Sequence, residues 1–236
     1  MAIKLQKFPC FKKVFSIRVL LIIILLLATI VATQDALAQN AEEYFETGIE
    51  KIEAEDYKGA IDEFTRAIDL NPEFAEAFNM RGLAKKELGE PTAALQDFYN
   101  ALELKPDLTE AYFNRGYVML EIGNYSGALR DLNKAIHQNP ENADYYLVRG
   151  NVNFILENYE DAIGDYSMAM EMGIVNADIL YNRASAFHKT GLNEYALEDL
   201  ENAFLADSSH PDMLFLFGCR DLFFCTLVAD HLLLGD

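Results

Sequence analysis

The side chains that most often carry out chemistry are sparse or scattered in this chain of 236 residues. Its four histidines have no ligand-like spacing, and the sequence contains no H-E-x-x-H, C-x-x-C, G-x-S-x-G or glycine-rich phosphate loop. The 38 Asp and Glu residues are abundant, but abundance alone does not make a catalytic pair, and most fall on polar helix faces. The sequence therefore predicts no catalytic residue, no metal site and no cofactor, and we expect that the protein is not an enzyme.

One pairing of opposite charges recurs at a fixed spacing. Four times an arginine precedes an aspartate by 16 residues, and each such pair follows the previous one after 34 residues. These residues are Arg81 and Asp97, Arg115 and Asp131, Arg149 and Asp165, and Arg183 and Asp199. We interpret them as a structural ladder of ion pairs, in which Arg115 pairs with Asp97 or Asp131. A row of arginines that binds a ligand is the alternative.

The period of 34 residues extends over most of the chain and defines its organisation. It gives five units without insertions, at residues 41–74, 75–108, 109–142, 143–176 and 177–210, within which positions are numbered 1 to 34. Small residues recur at position 8 (Gly, with Ala184 in the fifth unit) and at positions 20 and 27 (Ala in all five). Each unit has the apolar spacing of two helices, which Gly123-Asn124 and Asn139-Pro140 end in the third unit.

These residues resemble the tetratricopeptide repeat (TPR) family at positions 4, 8, 20, 24, 27 and 32, over 170 residues. The resemblance implies an all-α fold, a right-handed α-solenoid of helix-turn-helix TPR units whose concave face is lined by the first helix of each unit. It also implies a protein-binding scaffold or adaptor, with no chemistry common to the family. The departures are Lys51 and Lys85 at the usually apolar position 11, Pro91 at the start of a second helix, and the prolines missing from units four and five.

The family resemblance also implies where a partner would bind, because TPR grooves are lined by positions 2, 5, 9, 12 and 13. Positions 5, 9 and 12 give every unit a large apolar or aromatic side chain, on a face that packing within the repeat is not expected to need. The predicted partner-binding groove consists of Phe45, Ile49, Ile52, Leu83, Phe113, Tyr117, Leu120, Leu147, Asn151, Phe154 and Tyr181. A tight superhelix or the C-terminal segment covering this face is the alternative. The carboxylate clamp of chaperone adaptors is excluded, since positions 5, 6 and 9 hold no Lys or Arg.

Position 2 is acidic in all five units and forms a predicted acidic rim: Glu42, Glu76, Glu110, Asp144 and Asp178. Acids in a first helical turn complement the helix dipole by about 0.3–1 kcal/mol each, and an acidic rim would also select basic ligands; the two roles are compatible. The whole chain carries a net charge of −19, which repels nucleic acid. We therefore expect a protein or peptide partner, basic or apolar, and no nucleic acid.

The first 38 residues have the organisation of an export signal. Residues 1–18 carry five basic residues and no acid, Val19 to Val31 is almost entirely apolar, and Ala36-x-Ala38 ends the segment. This pattern predicts a Sec signal peptide at residues 1–38, cleaved after Ala38, with the mature chain periplasmic or secreted. The alternative is a membrane-anchored protein that keeps its N-terminal segment.

Residues 211–236 break the repeat pattern and are largely apolar. Leu214 and Gly218 match positions 4 and 8 of a degenerate sixth repeat, after which the segment diverges. It is interpreted as a capping helix folded onto unit five, a dimer or membrane contact, or the product of a truncated gene. Charges at Arg220 and Asp221 argue against a membrane span. Membrane contact is therefore expected only through this segment or an uncleaved N-terminus.

These features together predict an exported TPR scaffold or adaptor, at residues 39–210, that binds another protein or a peptide in its groove. We expect it to act in the assembly of an envelope complex. The alternative is a regulatory or recruiting subunit of an envelope enzyme, with the active site on another chain.

Overall fold

The structure is a computed structural model in which residues 22–27, 29 and 39–206 are described. Residues 22–27 are helical and lie in the apolar core of the predicted signal peptide. The cleavage point after Ala38 and the segment 211–236 lie outside the described residues, so both remain predictions. Within the described ranges, no helix has both the length and the apolar character needed to cross a membrane.

Helices follow one another from residue 39 to residue 206, and this range contains no strand. They are α1 (39–53), α2 (Tyr57–Leu70), α3 (Ala75–Glu87), α4 (Pro91–Leu104), α5 (Thr109–Glu121), α6 (Tyr125–Gln138), α7 (Ala143–Ile155), α8 (Tyr159–Glu171), α9 (Ala177–Lys189) and α10 (Asn193–Ala206). Each repeat contributes one odd-numbered first helix and one even-numbered second helix. The prediction of an all-α solenoid is confirmed.

The turn inside each repeat depends on one residue with positive φ, at position 15. Gly89, Gly123 and Gly191 hold this position in repeats two, three and five, with φ of 75°, 78° and 79°. Glu55 and Glu157 hold it in repeats one and four, with φ of 58° and 62°. A residue in this left-handed region ends the first helix, and glycine adopts it with the least strain.

The second helix then begins with a side-chain cap at position 16. The Asn124 side chain accepts a hydrogen bond from the Gly127 N–H at 3.2 Å, and the Asp56 side chain accepts one from the Gly59 N–H at 3.0 Å. Such caps satisfy backbone donors that a helix start leaves free. Pro91, the departure in repeat two, occupies the first residue of α4, where its missing N–H has no helical partner to lose.

Position 8 lets the two helices of a repeat approach closely, because it has no side chain to keep them apart. A Cβ added to Gly48 would lie 2.5 Å from the Phe64 ring, and one added to Gly150 would lie 2.8 Å from the Tyr166 ring. Both rings stand at position 24 and are fully buried. The repeats thus match a glycine on one helix to an aromatic ring on the other.

Consecutive repeats join by burying position 10 of the later one. Val118, for example, packs against Ala94 and Phe98 of the preceding repeat, and all three are completely buried. The first helices α3, α5, α7 and α9 also contact one another in sequence. They therefore form, with α1, one continuous surface, which we call the inner surface.

Candidate functional site

The predicted groove residues lie on the inner helices, but they are half-buried instead of exposed. None of them is among the large apolar side chains with an exposed surface. The expectation that repeat packing does not need these side chains is therefore corrected: they pack on the core with one part and face solvent with the other.

At the N-terminal end of the inner surface, the groove residues belong to an aromatic cluster. The Phe45 ring centroid lies 5.6 Å from that of Phe64 and 4.8 Å from that of Phe74. Ile49 and Ile52 pack beside Phe45 on the buried residues of the first two repeats. This part of the groove is the roof of the core as well as a surface.

The middle of the inner surface presents a second apolar group, which spans two repeats. Phe113, Tyr117 and Leu120 pack around a buried cluster that includes residues of both the third and the fourth repeat. The Phe113 ring centroid lies 4.8 Å from that of Tyr145, in the next repeat, and 6.3 Å from that of Tyr117. Removing Phe113 would therefore loosen a contact between repeats. In the last two repeats Leu147, Phe154 and Tyr181 occupy the same kind of half-buried position.

The asparagines of the inner surface are engaged in linking repeats. Asn151, a predicted groove residue, accepts a hydrogen bond from the Tyr166 hydroxyl at 2.9 Å and one from the Asn182 amide at 3.5 Å. Asn79 is buried and accepts a hydrogen bond from the Asn114 amide at 3.0 Å. Because its acceptor oxygen is already used within the fold, Asn151 is better described as a structural residue than as a ligand group.

Lys86 brings a positive charge to this surface, next to an aromatic ring. Its Nζ lies 2.6 Å from Glu87 Oε1 and 4.9 Å from the ring centroid of Tyr117 in the next repeat. A cation over an aromatic face is stabilised by about 0.5–1 kcal/mol at an exposed site. Position 12 of one repeat thus lies beside position 9 of the following one.

The acidic rim at position 2 is exposed at four of its five members, while the fifth is engaged in an ion pair. Glu76 Oε1 lies 2.6 Å from Lys105 Nζ, and this hydrogen bond lowers the pKa of the Glu76 carboxyl. Burial raises the pKa of the Tyr145 phenol, and the charges of Glu110 and Asp144 add to the rise. The rim therefore imposes a negative potential on the neighbouring groove.

A second acidic row, at position 13, runs along the other edge of the inner surface. Glu53, Glu87 and Glu121 end the first helices of repeats one to three and are all exposed. Acids at a helix C-terminus oppose the helix dipole, so helix stability does not account for this row. The signal was present in the sequence as one more acidic position in the 34-residue period. Positions 2 and 13 are about 16 Å apart at 1.5 Å per helical residue.

The predicted ladder arginines each contact the aspartate of their own repeat. Arg115 Nε lies 2.6 Å from Asp131 Oδ2, and Arg115 Nη2 lies 2.9 Å from Asp131 Oδ1, so the pair is bidentate. Arg81 and Asp97 are joined in the same way, at 2.9 and 2.8 Å. Arg149 pairs with Asp165, and Arg183 with Asp199. Burial lowers the pKa of the Arg115 guanidinium, but the hydrogen bond and charge of Asp131 outweigh it, and the net pKa is raised.

Each ladder arginine also reaches back to position 25 of the preceding repeat, a contact that was not predicted. The Nη1 atoms of Arg81 and Arg183 donate hydrogen bonds to hydroxyls of the preceding repeat, Thr65 Oγ1 at 3.1 Å and Ser167 Oγ at 3.0 Å. Arg149 Nη1 donates to Asn133 Oδ1 at 2.7 Å. Arg115 instead lies over the Tyr99 ring, 4.5 Å from its centroid. The arginine thus fastens one repeat to the next.

The lysines at position 11, which depart from the family pattern, belong to the same network. Lys51 Nζ lies 3.0 Å from Glu63 Oε1, and Lys85 Nζ lies 2.7 Å from Asp97 Oδ2. In repeat four, Asn153 donates a hydrogen bond to Asp165 at 2.9 Å. Polar residues at position 11 are therefore satisfied by the acid at position 23.

Within residues 39–206 the acids and histidines are distributed along the repeats. No group of three or more His, Cys, Asp or Glu side chains in the described part of the chain is arranged to hold a metal ion. What the inner surface offers is an apolar strip between two acidic rows.

The fold resembles that of several solved structures. The crystal structure of the MamA protein is 22% identical over 72% of this chain and 93% of that one, with a TM-score of 0.64. MamA from Desulfovibrio magneticus RS-1 is 19% identical over 74% of this chain and 99% of that one, with a TM-score of 0.66. YrrB, described as a TPR protein with an unusual peptide-binding site, is 19% identical over 79% of this chain and all of that one, with a TM-score of 0.66.

A search of curated proteins found no match to the sequence. The tetratricopeptide repeat family model matches residues 45–109 and 113–173, which together make up more than half of the chain. These matches begin in the first predicted unit and end in the fourth. The chain belongs to the tetratricopeptide repeat family.

Proposed function

We propose that this protein is an exported, non-enzymatic TPR scaffold that binds a segment of another protein along its inner surface. The observation that carries the proposal is the apolar strip of half-buried side chains between two exposed acidic rows, at positions 2 and 13. Their separation of about 16 Å leaves room for one helix, which is about 10–12 Å across with its side chains.

The charge pattern defines the partner's chemistry. Apolar side chains on the bound segment would cover the exposed parts of Tyr117 and Leu120, while lysines or arginines beside them would face the two acidic rows. The position-13 acids oppose the dipoles of their own helices, which supports a role in binding over a role in folding. A peptide-binding site is named for YrrB, whose fold this chain shares.

The export signal assigns this binding to the cell envelope, where we propose that the protein assembles a complex. N-terminal sequencing of the protein purified from its source tests this assignment: a chain that begins at Gln39 supports export with cleavage, and one that keeps Met1 supports an anchor. Replacing Ile22 to Leu27 with polar residues should leave an unprocessed precursor in the cytoplasm.

The binding surface is tested by reversing charge on one edge of it. We expect Glu53→Lys with Glu121→Lys to weaken partner capture by crosslinking in intact cells about tenfold or more, since like charges across an interface repel. Asp62→Lys with Glu103→Lys makes the same change in net charge on exposed positions of α2 and α4 and serves as the matched control. Equal capture by both double variants would contradict the proposal.

The alternative, a recruiting subunit of an envelope enzyme, predicts a different set of captured proteins. An envelope enzyme whose activity changes when this chain is added would favour it. Structural proteins captured without any enzyme would favour the scaffold.

A further inference from the structure

The two ends of the solenoid differ in chemistry. Positions 3, 6 and 10 of α1 are Glu43, Glu46 and Glu50, and all three are exposed. In the later repeats, position 10 is Ala84, Val118, Val152 and Ala186, each completely buried. That position packs on the preceding repeat, so its replacement by glutamate makes α1 a polar end of the array.

The other end is apolar. Ala196, Leu200 and Ala203 on α10 hold positions 20, 24 and 27, and their exposed fractions are 0%, 2% and 0%. In repeats one to four, position 24 is covered on one side by position 10 of the next repeat, as Phe98 is by Val118. No repeat follows α10 in the described residues, yet Leu200 is as buried as its counterparts.

A second copy of this chain stacked head to tail does not fit this end. Its α1 would bring Glu43, Glu46 and Glu50 against Leu200 and Ala203, and burial of unpaired carboxylates is strongly unfavourable. The occupant therefore has to be apolar. Thirty residues follow Ala206 in the sequence, and they are largely apolar from Met213 onward.

We propose that residues 211–224 dock on α10 as an unpaired first helix of a sixth repeat and close this end of the solenoid. Met213 and Leu216 then occupy positions 3 and 6, the positions at which later repeats contact the preceding one. Arg220 takes position 10, where its aliphatic stem covers Leu200 and its guanidinium reaches water at the open edge. The inference stands apart from the proposed partner surface, since it rests on α10 and α1 only.

Native cysteines provide the test. Cys10→Ser and Cys225→Ser leave Cys219 as the only native thiol of the full chain. Cys219 is at position 9, and position 9 lies beside position 12 of the preceding repeat, as Tyr117 lies beside Lys86. His188→Cys at position 12 should therefore form a disulfide with Cys219 in the same chain, read by mass spectrometry after mild oxidation. Glu53→Cys, at the opposite end of the solenoid, is the control.

A several-fold higher yield of the intrachain disulfide in the His188→Cys chain than in the Glu53→Cys chain supports the cap. Equal yields, or disulfides between two chains joined through Cys219, would overturn it in favour of an open or dimerised end. A chain that stops after Ala206 gives a second readout. It should self-associate in sedimentation experiments, whereas a monodisperse monomer with an unchanged unfolding midpoint would also overturn the proposal.

Discussion

Gly82 of α3 faces the ring of Phe98 of α4 so closely that a Cβ at Gly82 would lie 2.7 Å from Phe98 Cε1. We expect Gly82→Ala to lower the free energy of unfolding by about 1 kcal/mol, because overpacking costs about 1–3 kcal/mol and alanine returns about 1 kcal/mol in helix propensity. Urea denaturation measures the change. Adding Phe98→Leu to Gly82→Ala should restore part of the loss.

The third repeat provides the control for this prediction. A Cβ at Gly116 would lie 3.3 Å from Leu132 Cγ, and the fifth repeat already has Ala184 opposite Leu200. Gly116→Ala should therefore be neutral or stabilise by up to about 1 kcal/mol. If Gly82→Ala and Gly116→Ala had the same effect, the size of position 24 would not be what requires glycine at position 8.

The ladder predicts coupling within a repeat and none between Arg115 and the aspartate of the preceding one. Arg115→Ala leaves the buried Asp131 carboxylate without its bidentate partner, and we expect a loss of about 1–3 kcal/mol, below the value for a fully buried pair. A double-mutant cycle with Asp131→Ala should give a coupling energy above about 0.5 kcal/mol.

The same cycle between Arg115 and Asp97 is the control, because Asp97 is held by Arg81 and Lys85. That coupling should stay within the usual additivity error of about 0.3–0.5 kcal/mol. Comparable coupling to both aspartates would show that the ion pairs are shared between repeats.

Tyr166 predicts how stability responds to high pH. Burial raises the pKa of its phenol, and the charge of Asp165 adds to the rise. Above about pH 10 the unfolded chain loses this proton while the folded chain keeps it, so stability falls as pH rises, by about 1.4 kcal/mol per pH unit. In the Tyr166→Phe variant this part of the alkaline loss should be absent.

At neutral pH the same variant loses the hydrogen bond to Asn151, for which we expect about 0.5–1.5 kcal/mol. Its ring should pack normally, since Phe64 and Phe98 occupy the equivalent position. Denaturant unfolding at pH 7.5 and pH 11 measures both effects, with Tyr195→Phe on an exposed ring as the control. An unchanged alkaline slope in Tyr166→Phe would contradict the assignment.

The turns give a prediction in the stabilising direction. Glu157 has φ of 62°, a conformation that disfavours side chains other than glycine by about 1–2 kcal/mol. Glu157→Gly should therefore raise the free energy of unfolding, by about 0.5–1 kcal/mol after glycine's greater freedom in the unfolded chain is counted. The reverse change, Gly123→Glu in repeat three, should destabilise by a similar amount, and an unfolding midpoint that fails to move in opposite directions would contradict this view of the turn.

The sequence by itself determined the architecture. Ala, Gly and aromatic residues at fixed positions of a 34-residue period require two close helices per unit, and five such units in register leave a solenoid as the way to bury their faces. The acidic position 2 and the existence of an Arg–Asp series were equally visible, because both are properties of one position repeated along the chain.

Only the tertiary structure decided which residues of different repeats meet. The reach of Arg81 to Thr65, the stacking of Phe113 on Tyr145 and the engagement of Asn151 by Tyr166 depend on how one helix pair rotates onto the next. A periodic pattern gives the face on which a side chain lies, but neighbouring repeats offer several partners within reach of a long side chain. Close packing of particular side chains selects among them, and for that reason the predicted groove is half core and half surface.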